Sequence, residues 1–199
     1  TEGQELRLTT LGEKPPVGLT GSGLLSLTHL LRQHGLLQVN GRFSSQTQGW
    51  EQRFARDERG VEIFKISRSA SINLSQLDIR ELQKANGAIR AAIDTLLARL
   101  ALHPTDLDRL LLTGSFGGQI DIPAVLGIGM IPPIDPARVE TIANGAGLGA
   151  AHFLSDTGWE FALRLAEKAE QIDLDQEAYF MERFIGAMAL TPNCGWESE

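Results

Sequence analysis

The chain has 199 residues, a formal net charge of −7, 42% hydrophobic residues, 22% charged residues and one cysteine. A domain of this length removes roughly 70% of its unfolded surface from water, so its core needs no disulfide or metal staple. The single cysteine, Cys194, excludes a disulfide-framed secreted module. No segment approaches the roughly 18 to 20 apolar residues of a membrane span. The acidic balance opposes contact with a phosphate backbone, so we expect a cytoplasmic protein with neither nucleic acid nor membrane as partner.

The N-terminal segment, residues 1–16, is polar and ends in Pro15-Pro16, which blocks a helix. We predict an N-terminal extension over 1–16, one folded unit over 17–190 and a flexible tail over 191–199. The chain begins with Thr1 rather than Met, so we expect a fragment of a longer protein.

The first half of the folded unit predicts one helix, a polar excursion and a strand. Leucines recur at the helical period from Leu24, and Gly35 ends that helix. Residues 40–60 carry Arg53, Arg56 and Arg59 among acidic neighbours, which indicates a solvated face. The period-two pattern over 61–66 then predicts a half-buried strand.

A long helix is predicted after Ser75, because Asp78 follows three residues later in the pattern of a capping box. Gly87 lies inside this helix and costs about 1 kcal/mol relative to Ala. Either close packing or approach of a ligand would explain a glycine there, and close packing is the favoured reason.

The second half alternates strand and helix, which predicts an α/β domain. Strands are expected over 109–113 and 139–142, helices at about 123–128, 159–169 and 178–190, and a strand-like piece over 172–174. Gly-rich segments follow both strands, at 114–118 and 144–150. The carboxyl edge of an open α/β sheet is where backbone N–H groups and helix N-termini bind anions.

Each Gly-rich segment also has a purely structural interpretation. The 114–118 segment fits either a nucleotide-binding turn or a tight connection, because glycine has no Cβ to hold a ligand away. Gly145-x-Gly147-x-x-Ala150 fits the dinucleotide fingerprint, but the acid expected about 20 residues later is displaced to Asp173 or Asp175. Gly21-Ser22-Gly23 fits either an anion nest or a flexible helix start.

No catalytic residue or metal ligand is assigned. The four histidines, His29, His34, His103 and His152, lack metal-ligand spacing, and neither a P-loop lysine nor a G-x-S-x-G or H-E-x-x-H motif occurs. Asp121 fits a cation ligand or, preferably, a helix cap.

Four segments in order resemble the C-terminal part of the reductive activators of corrinoid proteins. They are Val17-Gly-Leu-Thr-Gly-Ser-Gly-Leu24, Asp78-Ile-Arg-Glu-Leu-Gln-Lys-Ala-Asn-Gly-Ala-Ile-Arg90, Leu111-Leu-Thr-Gly-Ser-Phe-Gly117 and Ala143-Asn-Gly-Ala-Gly-Leu-Gly-Ala150. These iron–sulfur activators carry an ATP-binding domain of the acetate/sugar kinase, heat-shock chaperone and actin (ASKHA) superfamily. The resemblance implies an actin-like, ribonuclease H-like α/β subdomain with a mixed sheet flanked by helices, incomplete relative to the family's full domain.

The resemblance also implies site residues. The strand followed by Gly-x-x-Gly is similar to the superfamily's adenosine motif, and the segment from Asn144 resembles the second connecting motif, where the two halves meet. Gly21-Ser22-Gly23 is similar to a Gly-rich turn near the nucleotide in dehydratase activators. The implied nucleotide-site residues are Gly21, Ser22, Gly23, Gln83, Lys84, Gly114, Ser115, Phe116, Gly117, Asn144, Gly145 and Gly147.

The chain departs from this family in two respects. One cysteine cannot supply the thiolates of an iron–sulfur cluster, and no strand-Asp-x-Gly segment supplies the phosphate and Mg²⁺ half of an ATP site. The resemblance therefore implies a fragment that binds ATP without hydrolysing it, whose parent holds Mg²⁺ and the iron–sulfur cluster. The implied partners are a corrinoid protein or corrinoid-dependent methyltransferase and a second copy in a homodimer.

Two alternatives remain open. One is a protein–protein docking or dimerisation module of the same activator, without nucleotide binding of its own, in which Arg53, Arg56 and Arg59 are the exposed contact residues. The other is a related ASKHA protein such as a dehydratase activator or a sugar kinase.

Overall fold

A computed structural model describes residues 6–67, 72–114 and 119–192 of the chain. Within these ranges strand and helix alternate over residues 110–152, as the sequence predicts, and two more helices follow. The helices and strands, in chain order, are α1 (Gly21–Gln33), β1 (Phe54–Arg56), β2 (Glu62–Lys65), β3 (Asn73–Ser75), α2 (Gln76–Arg99), β4 (Leu110–Gly114), α3 (Ile122–Gly127), β5 (Val139–Ala143), α4 (Gly145–His152), α5 (Asp156–Lys168) and α6 (Phe180–Ala187).

The first three strands form an antiparallel sheet in the order β1-β2-β3. The predicted strand over 61–66 is confirmed as β2, in which Phe64 pairs with Phe54 on one side and with Leu74 on the other. Phe54 and Phe64 meet edge to face with ring centroids 5.3 Å apart, a favourable geometry for aromatic rings. This sheet and α1 enclose the larger core, whose buried members are Leu27, Leu31, Leu36, Leu37, Phe43, Trp50, Phe64, Ile66, Leu74, Ile79, Ile128 and Leu190.

The start of α2 confirms the predicted capping box. The Ser75 hydroxyl accepts a hydrogen bond from the Asp78 N–H at 3.1 Å, and the Asp78 carboxylate accepts one from the Ser75 N–H at 2.8 Å. Two N–H groups that the helix leaves unpaired are therefore satisfied reciprocally.

Close packing explains Gly87, because α6 lies directly against it. A Cβ on Gly87 would lie 2.8 Å from the Phe184 carbonyl oxygen and 3.0 Å from Cγ of Met188. Side chains of α2 also satisfy carbonyls at the end of α6: Asn86 donates to the Ala187 oxygen at 3.0 Å, and Gln83 donates to the Met188 oxygen at 2.7 Å. The two helices are thereby held in one register.

The two later strands form a separate parallel pair, in which Leu110 is opposite Val139 and Gly114 is opposite Ala143. One face of this pair packs on a second core around Val125, Ile131, Ile134 and Val139. The other face is open in the described part of the chain, where Leu111 is 49% exposed. Successive side chains of a strand alternate between its two faces, so the apolar run of β4 places side chains on both faces. Only one of these faces packs on a core here.

Predictions for the C-terminal region need two corrections. The strand-like piece over 172–174 is wrong: Leu174–Gln176 forms a 3₁₀ turn, and the Gln176 amide donates to the Asp173 carboxylate at 2.7 Å. This local bond favours a turn over an extended strand. The last helix is shorter than predicted, because Tyr179 has a left-handed φ of 66° and the helix starts only after it.

The arginine cluster over 53–59 also needs a correction. Arg53 was predicted on a solvated face, but it is 7% exposed and donates to the carbonyls of Lys65 and Ile66 at 3.1 and 3.0 Å. Its guanidinium thereby contacts the backbone at the end of β2. Arg56 and Arg59 are exposed, as predicted.

Two further arginines tie distant segments together. Arg90 of α2 is completely buried; its Nε donates to the Asp94 carboxylate at 2.9 Å, and its guanidinium donates to the carbonyls of Gly129 and Ile131. Arg32 of α1 donates to the Leu190 carbonyl at 2.9 Å, and burial lowers the pKa of its guanidinium.

Within the described ranges, no helix is both long and apolar enough to cross a bilayer.

Candidate functional site

The candidate site lies where the parallel strands β4 and β5 end side by side. Gly114 is the last residue of β4 and has a φ of 117°, a backbone conformation that glycine alone adopts readily. Among the described residues other than its chain neighbours, no atom lies within 4 Å of the position that a Cβ on Gly114 would occupy, and Gly114 itself is exposed. The predicted site residues Ser115, Phe116 and Gly117 lie outside the described residues.

The start of α4 forms the other half of this edge. Asn144 adopts a left-handed conformation (φ 51°, ψ 48°), and its side-chain oxygen accepts a hydrogen bond from the Gly147 N–H at 3.2 Å. Gly145 and Gly147 are in close contact with their surroundings: a Cβ on Gly145 would collide with Oγ1 of Thr113, and one on Gly147 would collide with the Asn144 amide. Both glycines are therefore needed for the helix start itself.

Thr113 joins the two halves of the edge, and sequence reasoning did not single it out. Its hydroxyl oxygen accepts a hydrogen bond from the Gly145 N–H at 2.8 Å, and the hydroxyl donates to the Ile142 carbonyl at 2.8 Å. The available signal was a polar residue that ends the apolar run of a strand directly before a glycine.

The third Gly-rich segment is the first turn of α1 rather than a loop before it. Gly21 begins the helix, three residues earlier than the leucine periodicity indicates, and Thr20 caps it by accepting from the Gly23 N–H at 3.0 Å. Gly23 also lines a cavity of about 350 Å³ between this helix start and the N-terminal segment. Cavities of this size accommodate small ligands.

A contact between Ser26 and Asp121 links α1 to the segment that leads into α3. The Ser26 hydroxyl donates to the Asp121 carboxylate at 3.5 Å, and Ser22 lies one turn earlier on the same face of the helix. Asp121 holds the predicted N-cap position of α3, but its side chain makes no capping bond. The predicted side-chain cap is therefore wrong, because the carboxylate faces Ser26 instead.

Gln83 and Lys84, predicted near the nucleotide, make their side-chain contacts elsewhere. Gln83 is 5% exposed, donates to the Met188 carbonyl and accepts from Arg80 at 2.7 Å. Lys84 is exposed and pairs with Glu81 at 2.7 Å, within α2 itself. Neither contact belongs to the edge formed by β4, β5 and α4. Among the described residues, no group of three or more His, Cys, Asp or Glu side chains is arranged to hold a metal ion.

Comparison with known proteins identifies the family to which this chain belongs. Residues 1–196 match the family model described as the C-terminal domain of RACo, the ASKHA domain. The chain belongs to this family. The predicted ASKHA-type α/β fold and the resemblance to corrinoid activators are thereby confirmed.

Family members are similar to this chain over most of its length. A solved structure, "Reductive activator for corrinoid,iron-sulfur protein", is 28% identical with a TM-score of 0.84, over 96% of this chain and 31% of that chain. The "Corrinoid activation enzyme RamQ" of Eubacterium limosum is 29% identical over 77% of this chain and 28% of its own length. The "[Co(II) methylated amine-specific corrinoid protein] reductase" of Methanosarcina barkeri is 27% identical over 58% of this chain and 18% of its own. The chain thus spans less than a third of these relatives.

Proposed function

We propose that this chain is the nucleotide-binding C-terminal part of an ATP-dependent reductive activator. The activator returns an inactive Co(II) corrinoid protein, or a corrinoid-dependent methyltransferase, to Co(I) by adding one electron. That electron comes from an iron–sulfur centre outside this chain, and the Mg²⁺ and phosphate half of the ATP site also lies outside it. This part supplies the adenosine side of the site and works in the cytoplasm.

The single observation that carries the proposal is the open edge at Gly114. Gly114 is exposed where two parallel strands end, and ligands of open α/β sheets bind at this edge. The N-terminus of α4, whose first turn contains Gly145 and Gly147, faces the same end of the strand pair. The names of the relatives support the assignment to corrinoid activation.

The experiment is a calorimetric and thermal-shift titration of the chain with ATP, ADP and a non-hydrolysable ATP analogue, with and without Mg²⁺. A ligand at 100 times its Kd adds about 2.7 kcal/mol to the free energy of unfolding. We expect Gly114→Val to abolish binding, because valine cannot adopt the left-handed φ at that position. Gly149→Ala is the matched control, because a Cβ on Gly149 would meet no neighbouring atom within 4 Å in the part of the chain that the structure describes. Wild-type chain that shows no shift with any of the three nucleotides refutes the proposal.

A docking role is the second candidate, and α5 is the observation that favours it. Six of its thirteen residues are apolar and lie on one face, on which four large side chains are about half exposed: Trp159, Phe161, Leu163 and Leu165. At roughly 100 Å² each they offer about 400 Å², half of what one partner contributes to a standard interface. We infer that this face is the centre of an interface, and a second copy of the chain is the proposed occupant.

Sedimentation analysis over a range of concentrations tests this role. We expect a dimer that Trp159→Glu converts to monomer, while Arg164→Glu, on the polar face of the same helix, leaves it intact. A wild-type chain that stays monomeric at high micromolar concentration excludes the second copy. In that case Arg56 and Arg59 are the remaining candidates for docking the corrinoid protein, and neutralising both is expected to weaken its binding without changing nucleotide affinity.

A further inference from the structure

Among the described residues, Thr113 is the side chain that bonds to both sides of the candidate edge. It is the last residue but one of β4, next to Gly114, and its hydroxyl oxygen accepts from the Gly145 N–H at the start of α4. The same hydroxyl donates to Ile142 on β5. We propose that Thr113 is a positioning residue that fixes α4 to the end of β4, so that the position of α4 and the occupancy of the Gly114 edge depend on each other.

The geometry satisfies both functions of a hydroxyl group. A hydroxyl has one proton and two lone pairs, and Thr113 uses the proton on the Ile142 oxygen and a lone pair on the Gly145 N–H, each at 2.8 Å. The first N–H groups of a helix have no partner within that helix. Asn144 satisfies the N–H of Gly147 from within the segment, whereas Thr113 satisfies that of Gly145 from a different strand. The hydrogen bond from Gly145 to Thr113 therefore couples the position of α4 to that of β4.

The Thr113 hydroxyl and the Gly145 backbone are in direct contact, with no free space between them. The contact that a Cβ on Gly145 would make with Oγ1 of Thr113 shows that backbone and side chain already touch. A shift at the end of β4 must therefore move the start of α4 or break the hydrogen bond. Coupling of this kind is reciprocal, so a nucleotide that orders Gly114 orders α4, and α4 affects nucleotide affinity by the same factor.

Hydrogen exchange of the Gly145 amide in the full chain, followed by NMR, tests the inference, which rests on the proposed nucleotide role of the Gly114 edge. Thr113→Val keeps the shape and removes both hydrogen bonds, Thr113→Ser keeps the hydroxyl, and Thr141→Val on β5 is the matched control. Without ligand, we expect Thr113→Val to speed Gly145 exchange about tenfold, the equivalent of one lost hydrogen bond. Thr113→Ser and Thr141→Val are expected to stay near the wild-type rate.

Saturating ADP supplies the second comparison. We expect ADP to slow amide hydrogen exchange across residues 145–152 in the wild type and in Thr113→Ser. In Thr113→Val, at an ADP concentration that calorimetry shows to be saturating, we expect no such slowing. An equal response of α4 in Thr113→Val and wild type overturns the inference while the proposed function stands. A wild-type chain that binds no ADP refutes the proposed function and the coupling with it; positioning is then judged by the ligand-free rates, and equal rates in Thr113→Val and wild type overturn that as well.

Discussion

Substituting Gly87 by alanine has two opposite effects on the free energy of unfolding, and the structure allows us to compare their sizes. Alanine is favoured over glycine inside a helix by about 1 kcal/mol. A Cβ at this position would, however, lie 2.8 Å from the Phe184 carbonyl oxygen, which belongs to the backbone of α6. Overpacking of this kind costs about 1–3 kcal/mol. Because Asn86 and Gln83 hold the end of α6 against α2, the helix cannot simply move away.

We therefore expect Gly87→Ala to lower the free energy of unfolding by about 1 kcal/mol despite its better helix propensity. Gly149→Ala is the comparison, because it gains the same propensity in α4 with open space around it, and we expect it to raise stability by up to about 1 kcal/mol. Urea unfolding followed by circular dichroism measures both. Gly87→Ala that is as stable as Gly149→Ala, or more so, would refute the view that contact with α6 selects glycine.

Three further predictions concern α2, each measured by urea unfolding. Ser75→Ala removes the capping bond to the Asp78 N–H and is expected to cost about 1 kcal/mol, whereas an unchanged midpoint would contradict the capping box. Arg90→Met leaves the Asp94 charge buried without this guanidinium and is expected to cost about 3–5 kcal/mol; the double variant with Asp94→Asn should recover part of it, and no recovery would count against the ion pair as the cause. Gln83→Ala leaves the Met188 carbonyl without its bond and is expected to cost about 1–3 kcal/mol with nucleotide affinity unchanged; a weaker affinity would instead support a nucleotide contact.

Local signals predicted the elements that local interactions stabilise. The capping box at Ser75 located the start of α2, because its two hydrogen bonds act within one turn. The strand β2 was similarly clear from its alternation. The short polar piece at 172–174 misled the same reasoning, since a side-chain bond from Gln176 to Asp173 favours a turn there. Such bonds between neighbouring polar residues compete with strand formation and leave little trace in hydrophobic patterns.

Features that depend on distant contacts could not be predicted in this way. Arg53 reads as a surface charge from its acidic neighbours, and only the path of β2 supplies the carbonyls that make its burial favourable. The position of Asp121 before α3 predicts a helix cap. Its carboxylate instead faces Ser26, which lies 95 residues away along the chain. The Gly-rich segments located the edge of the sheet, but the role of Thr113 depends on the pairing of β4 with β5.

The apolar face of α5 shows how far periodicity reaches. Both α2 and α5 carry the helical repeat of apolar residues, and the pattern in each predicts a face removed from water. In α2 the buried face contacts the core and α6, but it includes Arg90 and Asp94, while the apolar side chains of Ile89, Leu96 and Leu100 are exposed. The large side chains of α5, such as Trp159 at 57% exposed, also remain open in the described part of the chain. Fully burying such a side chain is worth about 1.5–3 kcal/mol, so covering the half that is still exposed is worth about half of that. An uncovered set of four is therefore a substantial driving force for association, and the dimer test on Trp159 measures whether a second copy supplies the cover.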